Sequence, residues 1–112
     1  MKTHIKNQDI PVEEVAPGVR RQIMGYDSNL MVVKVYFDKG GIGSPHAHMH
    51  QQISYVVKGA FEVEIDGVKQ VLREGDAFLI PENAIHGAVC LEDGILIDTF
   101  SPMREDFIEQ NA

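Results

Sequence analysis

Residues 40–59 read GGIGSPHAHMHQQISYVVKG, and the interpretation of the whole chain starts from this stretch. Three histidines stand here at alternate positions, His46, His48 and His50. In an extended strand, a period of two sends all three side chains to one face. Two imidazoles so placed can bind one ion at about 2.0–2.1 Å, which makes His46 and His48 candidate metal ligands. Such a pair is weak evidence alone, because surface or hydrogen-bonded histidines give the same pattern.

The residues around the histidines make the prediction stronger. Gly40, His46, His48, Gln52 and Gly59 are separated by five, one, three and six residues. This spacing resembles the first motif of the cupin family, with glutamine where many cupins carry glutamate.

A second motif follows downstream. Gly75 is separated by five residues from Pro81, and Asn83 and His86 come next. This order resembles the second cupin motif, whose histidine completes a metal site. Asn83 stands where that motif often has glycine, and asparagine is among the residue types that also adopt positive φ. Cys90 falls where the motif often has asparagine, a departure that affects no ligand.

The two motifs span residues 40–90, and the resemblance implies a cupin double-stranded β-barrel, or jelly roll, holding one divalent transition metal. Nickel, zinc, manganese and iron all remain open. The implied ligands are His46, His48, Gln52 and His86. Because these ligands are all neutral, the charge of the ion stays uncompensated and should attract an anion such as a substrate carboxylate. His50 shares the strand face but is not required by the motif, so we expect it at the rim.

The rest of the chain is a succession of short β-rich runs. The predicted strands are 18–25, 30–37, 53–57, 60–65, 68–72, 77–80, 85–89 and 94–100. Asp66-Gly67 is a two-residue hairpin signal, and only Met103 to Gln110 offers a short helix. Many short strands at close spacing indicate an all-β sandwich or barrel. The length of 112 residues predicts one domain over residues 1–112.

Composition restricts the class of partner. The formal charge of −7 and the absence of a basic cluster argue against nucleic acid, since that affinity comes from Lys and Arg on phosphates. We therefore expect a small-molecule partner, and no membrane-length apolar run is present. One cysteine allows no intrachain disulfide, and the polar start is not a secretory signal, so we expect a cytoplasmic protein. Strands apolar at successive positions suggest a homodimer that covers one face.

The predicted strand 94–100 carries a carboxylate among apolar residues. Leu96, Asp98 and Phe100 share one face of it. If that face points inward, Asp98 needs a cation or a hydrogen-bond donor nearby. The alternative is that Asp98 caps the following turn.

Arg104 follows this strand closely enough to overhang the mouth of a barrel. It precedes two acids, Glu105 and Asp106, so an exposed ion pair is one interpretation. The other is a clamp that holds a carboxylate through two parallel hydrogen bonds.

A more specific resemblance covers nearly the whole chain. APGVRR at 16–21, VCLEDG at 89–94 and DTFSPMREDF at 98–107 resemble pectin-degradation cupins of the KdgF type. This resemblance implies metal-dependent conversion of 4,5-unsaturated monouronates, released by pectin or alginate lyases, into linear 5-keto-4-deoxyuronate. It implies site roles for Asp98 as proton shuttle, Arg104 as carboxylate clamp and Phe100 as an apolar wall. Two rivals are a metal-dependent dioxygenase of the cupin class and a non-catalytic cupin that binds a sugar or acid.

Overall fold

The computed structural model describes residues 2–109 and is built mainly from β-strands. A short 3₁₀ turn at Asn7–Asp9 precedes them. The elements are, in chain order, β1 (Glu13–Ala16), β2 (Val19–Tyr26), β3 (Met31–Phe37), β4 (Ile42–His46), β5 (Gln51–Ile65), β6 (Val68–Arg73), β7 (Ala77–Ile80), β8 (His86–Ser101) and α1 (Glu105–Glu109). The all-β class is therefore confirmed. Within the described residues, α1 is the sole α-helix and is far too short to span a bilayer.

The long strands β5 and β8 organise the jelly roll. They pair with each other in antiparallel fashion along most of their length. The early half of β5 also pairs with β7 and its late half with β6. Likewise the early half of β8 pairs with β4 and its late half with β3, which continues to β2 and β1. Both halves of the barrel thus share β5 and β8, and the inner faces of these strands position the site.

Two segments predicted as turns lie inside these long strands. The sequence predicts separate strands on either side of Lys58-Gly59, but β5 continues through it with several register shifts. Gly59 has a φ of +86°, and a Cβ there would lie 2.6 Å from the backbone oxygens of Glu92 and Asp93. The predicted turn at 92–94 likewise lies within β8. Here the turn residues allow the backbones of two paired strands to approach closely, and the chain does not reverse.

The core lies between the inner faces of the strands. Alternate residues of β3, from Met31 to Phe37, are buried, as its apolar pattern predicts. Phe37 and Phe61 pack edge to face with ring centroids 5.1 Å apart. The predicted hairpin between β5 and β6 is confirmed, with positive φ at both Asp66 and Gly67.

Segments near both ends of the described residues pack against the strands. At the N-terminal end, Gln22 of β2 binds the backbone oxygens of Asn7 and Ile10 and so anchors the first segment. At the other end, the predicted helix at 103–110 is confirmed only as α1, and Gln110 lies outside the described residues. Phe107 of α1 packs against the core.

One outer face of the barrel remains open to solvent in the single chain. Ile53 and Tyr55 on β5 are half exposed, and so is Leu79 on the neighbouring β7. The sequence suggests a second subunit from the apolar runs at 30–37 and 94–97 rather than from these residues, and the homodimer stays a prediction.

Candidate metal centre and its cavity

Three of the histidines predicted as ligands meet at one point. His46 ends β4 and lies directly opposite His86, the first residue of β8, in the strand register. His48 reaches the same place from the loop that follows β4. One ring nitrogen from each histidine lies within 4.8 Å of the others, which is a spacing that can hold a metal ion.

The loop conformation decides which histidines take part. The extended conformation assumed for 46–50 is wrong, because β4 stops at His46. The His48 carbonyl oxygen instead accepts a 2.8 Å hydrogen bond from the backbone N–H of Asn83. Asn83 has a φ of +62°, as its motif position predicts. His50 lies outside the group of three whose ring nitrogens converge.

Backbone carbonyl groups fix the tautomers of the three histidines. Each Nδ1 lies 2.7 to 2.9 Å from a backbone oxygen two residues away. The partners are Ser44 for His46, His50 for His48 and Ala84 for His86. Because a carbonyl oxygen only accepts, Nδ1 must carry the proton. Each Nε2 is therefore left with a lone pair, the form that binds metals.

Gln52 supplies the fourth predicted ligand atom. Its side chain is buried, and its Nε2 donates a 2.9 Å hydrogen bond to Ser54 Oγ. The amide oxygen Oε1 consequently faces the histidines, 3.0 Å from His48 Nε2. With the tautomer assigned above, both of these atoms are acceptors, so neither satisfies the other.

The donor set fits a divalent transition metal. Three imidazole lone pairs and one amide oxygen converge, a combination suited to such ions. His86 Nε2 is buried and has no hydrogen-bond partner among the described residues, which is costly unless a cation binds there. Burial lowers the pKa of His86 to about 4, and burial followed by the charge of Arg104 lowers the pKa of His48. Both imidazoles are thus neutral and ready to bind metal near neutral pH.

Asp98 lies beside this centre on the inner face of β8. Its Oδ1 accepts a 2.6 Å hydrogen bond from Ser54 Oγ. Burial raises the pKa of Asp98 to about 6, although the Ser54 hydrogen bond and the charge of Arg104 oppose the rise. The carboxyl group lines the cavity and does not cap the following turn.

Arg104 forms an ion pair with a nearby acid, whereas its role as a clamp for a substrate carboxylate stays a prediction. Its Nε and Nη2 donate to the two carboxylate oxygens of Asp106 at 3.0 and 2.8 Å, which lowers the pKa of Asp106. The guanidinium is nevertheless buried, 9% exposed as a residue, and lines the cavity. It stacks over Phe107 at 4.2 Å and lies 5.1 Å from the centroid of Phe100.

A cavity of about 260 Å³ is lined by most of these groups, namely His46, Gln52, His86, Asp98, Phe100 and Arg104. Its walls are mostly apolar, with Val33, Val35 and Leu96 among them. A second arginine, Arg21, also lines it, with its Nε 2.7 Å from Glu13 and its guanidinium over Phe107. Arg21 and Ser54 were not predicted as site residues, because neither stands at a defining position of the two spacing motifs.

Comparisons with known proteins agree with this architecture. A family model described as a cupin domain matches residues 33–98. The pectin degradation protein KdgF of Dickeya dadantii (strain 3937) is 47% identical over 110 residues, covering 96% of this chain and all of that protein.

Two solved structures extend the likeness to three dimensions. KdgF from Halomonas sp. superposes with a TM-score of 0.91 at 47% identity, covering 96% of this chain and 99% of that one. An RmlC-like cupin from Shewanella frigidimarina gives a TM-score of 0.90 at 50% identity, covering 95% and 96%. This chain therefore belongs to the cupin family and, within it, to the small cupins of the KdgF type.

Proposed function

We propose that this protein is a metal-dependent enzyme that converts 4,5-unsaturated monouronates into linear 5-keto-4-deoxyuronate. One observation carries the proposal: a carboxyl group with a pKa near 6 and a buried arginine line the same small cavity as His46, Gln52 and His86 of the candidate metal site. The likeness to KdgF, named as a pectin degradation protein, supports a sugar acid as substrate.

The reaction is an isomerisation that needs only proton transfers. Removal of the proton from the C1 hydroxyl forms the C1 carbonyl and breaks the bond from C1 to the ring oxygen. The electron pair stays on that oxygen, which becomes the enolate at C5. Protonation at C4 then gives the 5-keto, 4-deoxy product. No oxidant or reductant takes part.

The residues around the cavity suit these transfers. Asp98, ionised near neutral pH, would accept the C1 hydroxyl proton and return it to C4, since a catalytic pKa near the operating pH suits both steps. Arg104 would hold the substrate carboxylate, and Phe100 would pack against the sugar ring. A divalent ion held by His46, His48, Gln52 and His86 would supply Lewis-acid stabilisation of the developing enolate charge.

The size of the cavity favours a monosaccharide. Its volume of about 260 Å³ lies below the ~300–1,000 Å³ of sites for drug-sized ligands. A single unsaturated uronate ring is therefore a better match than an oligosaccharide. We propose that monouronates are the substrates and that longer lyase products are not.

Proton NMR in D₂O tests the reaction directly. Metal-loaded protein mixed with an unsaturated monouronate should speed the loss of the ring alkene signal and place one deuterium at C4. The same rate should be obtained anaerobically and with zinc, nickel or manganese. A requirement for oxygen would support the dioxygenase rival, and tight binding without turnover would support the non-catalytic rival.

A further inference from the structure

Ser54 occupies a place between the metal ligands and the proposed acid–base group. It lies on the inner face of β5, two residues after Gln52, and is fully buried. In the register of β5 and β8 it stands directly opposite Asp98. A hydroxyl group so deeply buried requires hydrogen-bond partners, and both of its partners belong to the site.

The direction of these hydrogen bonds follows from the donors available. The Gln52 amide nitrogen can only donate, so Ser54 Oγ accepts from it at 2.9 Å. An ionised Asp98 can only accept, so the single hydroxyl proton of Ser54 goes to its Oδ1 at 2.6 Å. The chain of bonds therefore runs in one direction, from amide to hydroxyl to carboxylate. In this arrangement the amide oxygen of Gln52 must face the histidines.

We propose that Ser54 is a positioning residue that holds the Gln52 oxygen toward the metal and aims the Asp98 carboxylate into the cavity. The inference rests on the proposed function, since it assumes that Gln52 binds the metal and that Asp98 transfers the proton. Outer partners of this kind commonly tune ligand basicity and metal affinity.

The same geometry accounts for an amide rather than a carboxylate at position 52. A glutamate there would present a second carboxylate to Ser54, whose one proton cannot serve both Asp98 and Glu. One of the two buried carboxylates would then lose its donor, which is costly for a charged group. Glutamine is the partner of similar length that satisfies Ser54 while Asp98 stays ionised.

Metal affinity provides a readout that does not depend on activity. Zn²⁺ is titrated calorimetrically into chelator-treated protein, and Ser54→Ala should weaken binding roughly 10–100-fold. Ser54→Thr, which keeps the hydroxyl group, should recover most of the affinity. Val56→Ala is the matched control, because Val56 is equally buried on the same strand face but has no polar side-chain atom to bond to Gln52 or Asp98. It should lower stability and leave Zn²⁺ affinity unchanged.

A double-mutant cycle then tests whether Ser54 acts through Gln52. In a Gln52→Ala background, Ser54→Ala should change Zn²⁺ affinity by less than about twofold. An undiminished loss in that background, or no loss from Ser54→Ala alone, would overturn the inference.

Kinetics separate this inference from the proposed function. Ser54→Ala should lower kcat while KM for the monouronate changes little, since Arg104 is untouched. If wild-type protein binds Zn²⁺ and Ser54→Ala weakens it but neither turns over the substrate, the proposed function fails while the metal-positioning role stands. If wild type is active and Ser54→Ala retains full affinity and kcat, the positioning role fails alone.

Discussion

Asp98 is a carboxylate in a mostly apolar cavity with a single hydrogen-bond donor beside it. Desolvation there disfavours the charged form, and Ser54 and Arg104 only partly offset this, so the pKa of Asp98 rises to about 6. A carboxyl group near 6 is ionised at neutral pH, yet it gives up a proton less readily than an ordinary aspartic acid. The surroundings thus suit a residue that first takes a proton and then returns it.

Asp98→Asn should separate catalysis from binding. The amide keeps the shape and can still accept the Ser54 hydrogen bond, but it cannot take up a proton. We expect kcat to fall by ~10²–10⁴-fold, the usual contribution of a general acid–base group, with metal content unchanged. Steady-state kinetics and elemental analysis of the same preparation check this. Near-full activity with metal bound would assign the proton transfer to water or to another group.

Arg104→Ala should act chiefly on substrate affinity. A hydrogen bond to a charged group contributes about 1.5–3 kcal/mol, so loss of the clamp should raise KM roughly 10–100-fold, at least as much as it lowers kcat. Asp106→Asn is the graded comparison, since it keeps the guanidinium but loosens its hold, and a smaller rise in KM is expected. An unchanged KM in Arg104→Ala would remove the arginine from substrate binding.

At the scale of elements, the site depends on how β5 and β8 pair. Gly59 lets the backbone of β5 approach that of β8, and the strand continues past it into the second half of the barrel. In the paired region on the site side of Gly59, the inner faces carry Gln52 and Ser54 on β5 and Asp98 on β8. A shift of β5 by one residue relative to β8 would turn Gln52 and Ser54 to the face opposite Asp98.

Glycine substitutions test the close approach of β5 and β8 at Gly59. Gly59→Ala should destabilise the fold by about 3 kcal/mol or more, because positive φ costs about 1–2 kcal/mol and the new Cβ would clash with backbone oxygens. Gly67→Ala has a similar φ but open space, so only the conformational cost, about 1–2 kcal/mol, should apply. Urea unfolding measures both. Equal losses would show that the close approach at Gly59 is not limiting.

The candidate metal ligands were predictable from sequence, whereas the residue proposed to position them was not. His46, His48, Gln52 and His86 stand at fixed spacings within local motifs, so the sequence alone identifies them as candidates. Ser54 acquires its role only from the register between β5 and β8, which no local pattern encodes. Strand β1 was missed for a similar reason. It has no alternating apolar pattern and is held by pairing with β2, including the ion pair from Glu13 to Arg21.

At the scale of the whole molecule, the net charge is negative, whereas the cavity presents two guanidinium groups. The chain carries a formal charge of −7, which by itself would repel an acidic sugar. Salt screens exposed charges beyond a Debye length of about 8 Å, so the groups lining the cavity decide binding. Those groups include Arg21 and Arg104, whose charges are partly offset by Asp98 and by their ion-pair partners Glu13 and Asp106. A bound divalent ion would add positive charge to this balance. A substrate carboxylate is thus attracted locally by a protein that is acidic as a whole.

The stability of the metal-free protein should depend on pH through two buried groups with opposite effects. His86 has a pKa lowered from 6.5 to about 4, so between these values the unfolded chain binds more protons and acidification favours unfolding. Asp98 has a pKa raised from 3.8 to about 6, so in its range the folded state binds more protons and acidification favours folding. Between pH 6 and 4 the two contributions should largely offset each other.

Replacing either residue should therefore reveal the pH dependence of stability that the other contributes. In chelator, Asp98→Asn should lose stability more steeply than wild type as pH falls from 6 to 4, because the lowered pKa values of His86 and His48 are then unopposed by Asp98. His86→Gln should lose less than wild type over the same range, or gain. Urea unfolding at a series of pH values measures each slope, and the difference between the two variants does not depend on surface carboxylates that both share. Parallel profiles for all three proteins would mean that neither group is buried in the metal-free fold as this structure describes.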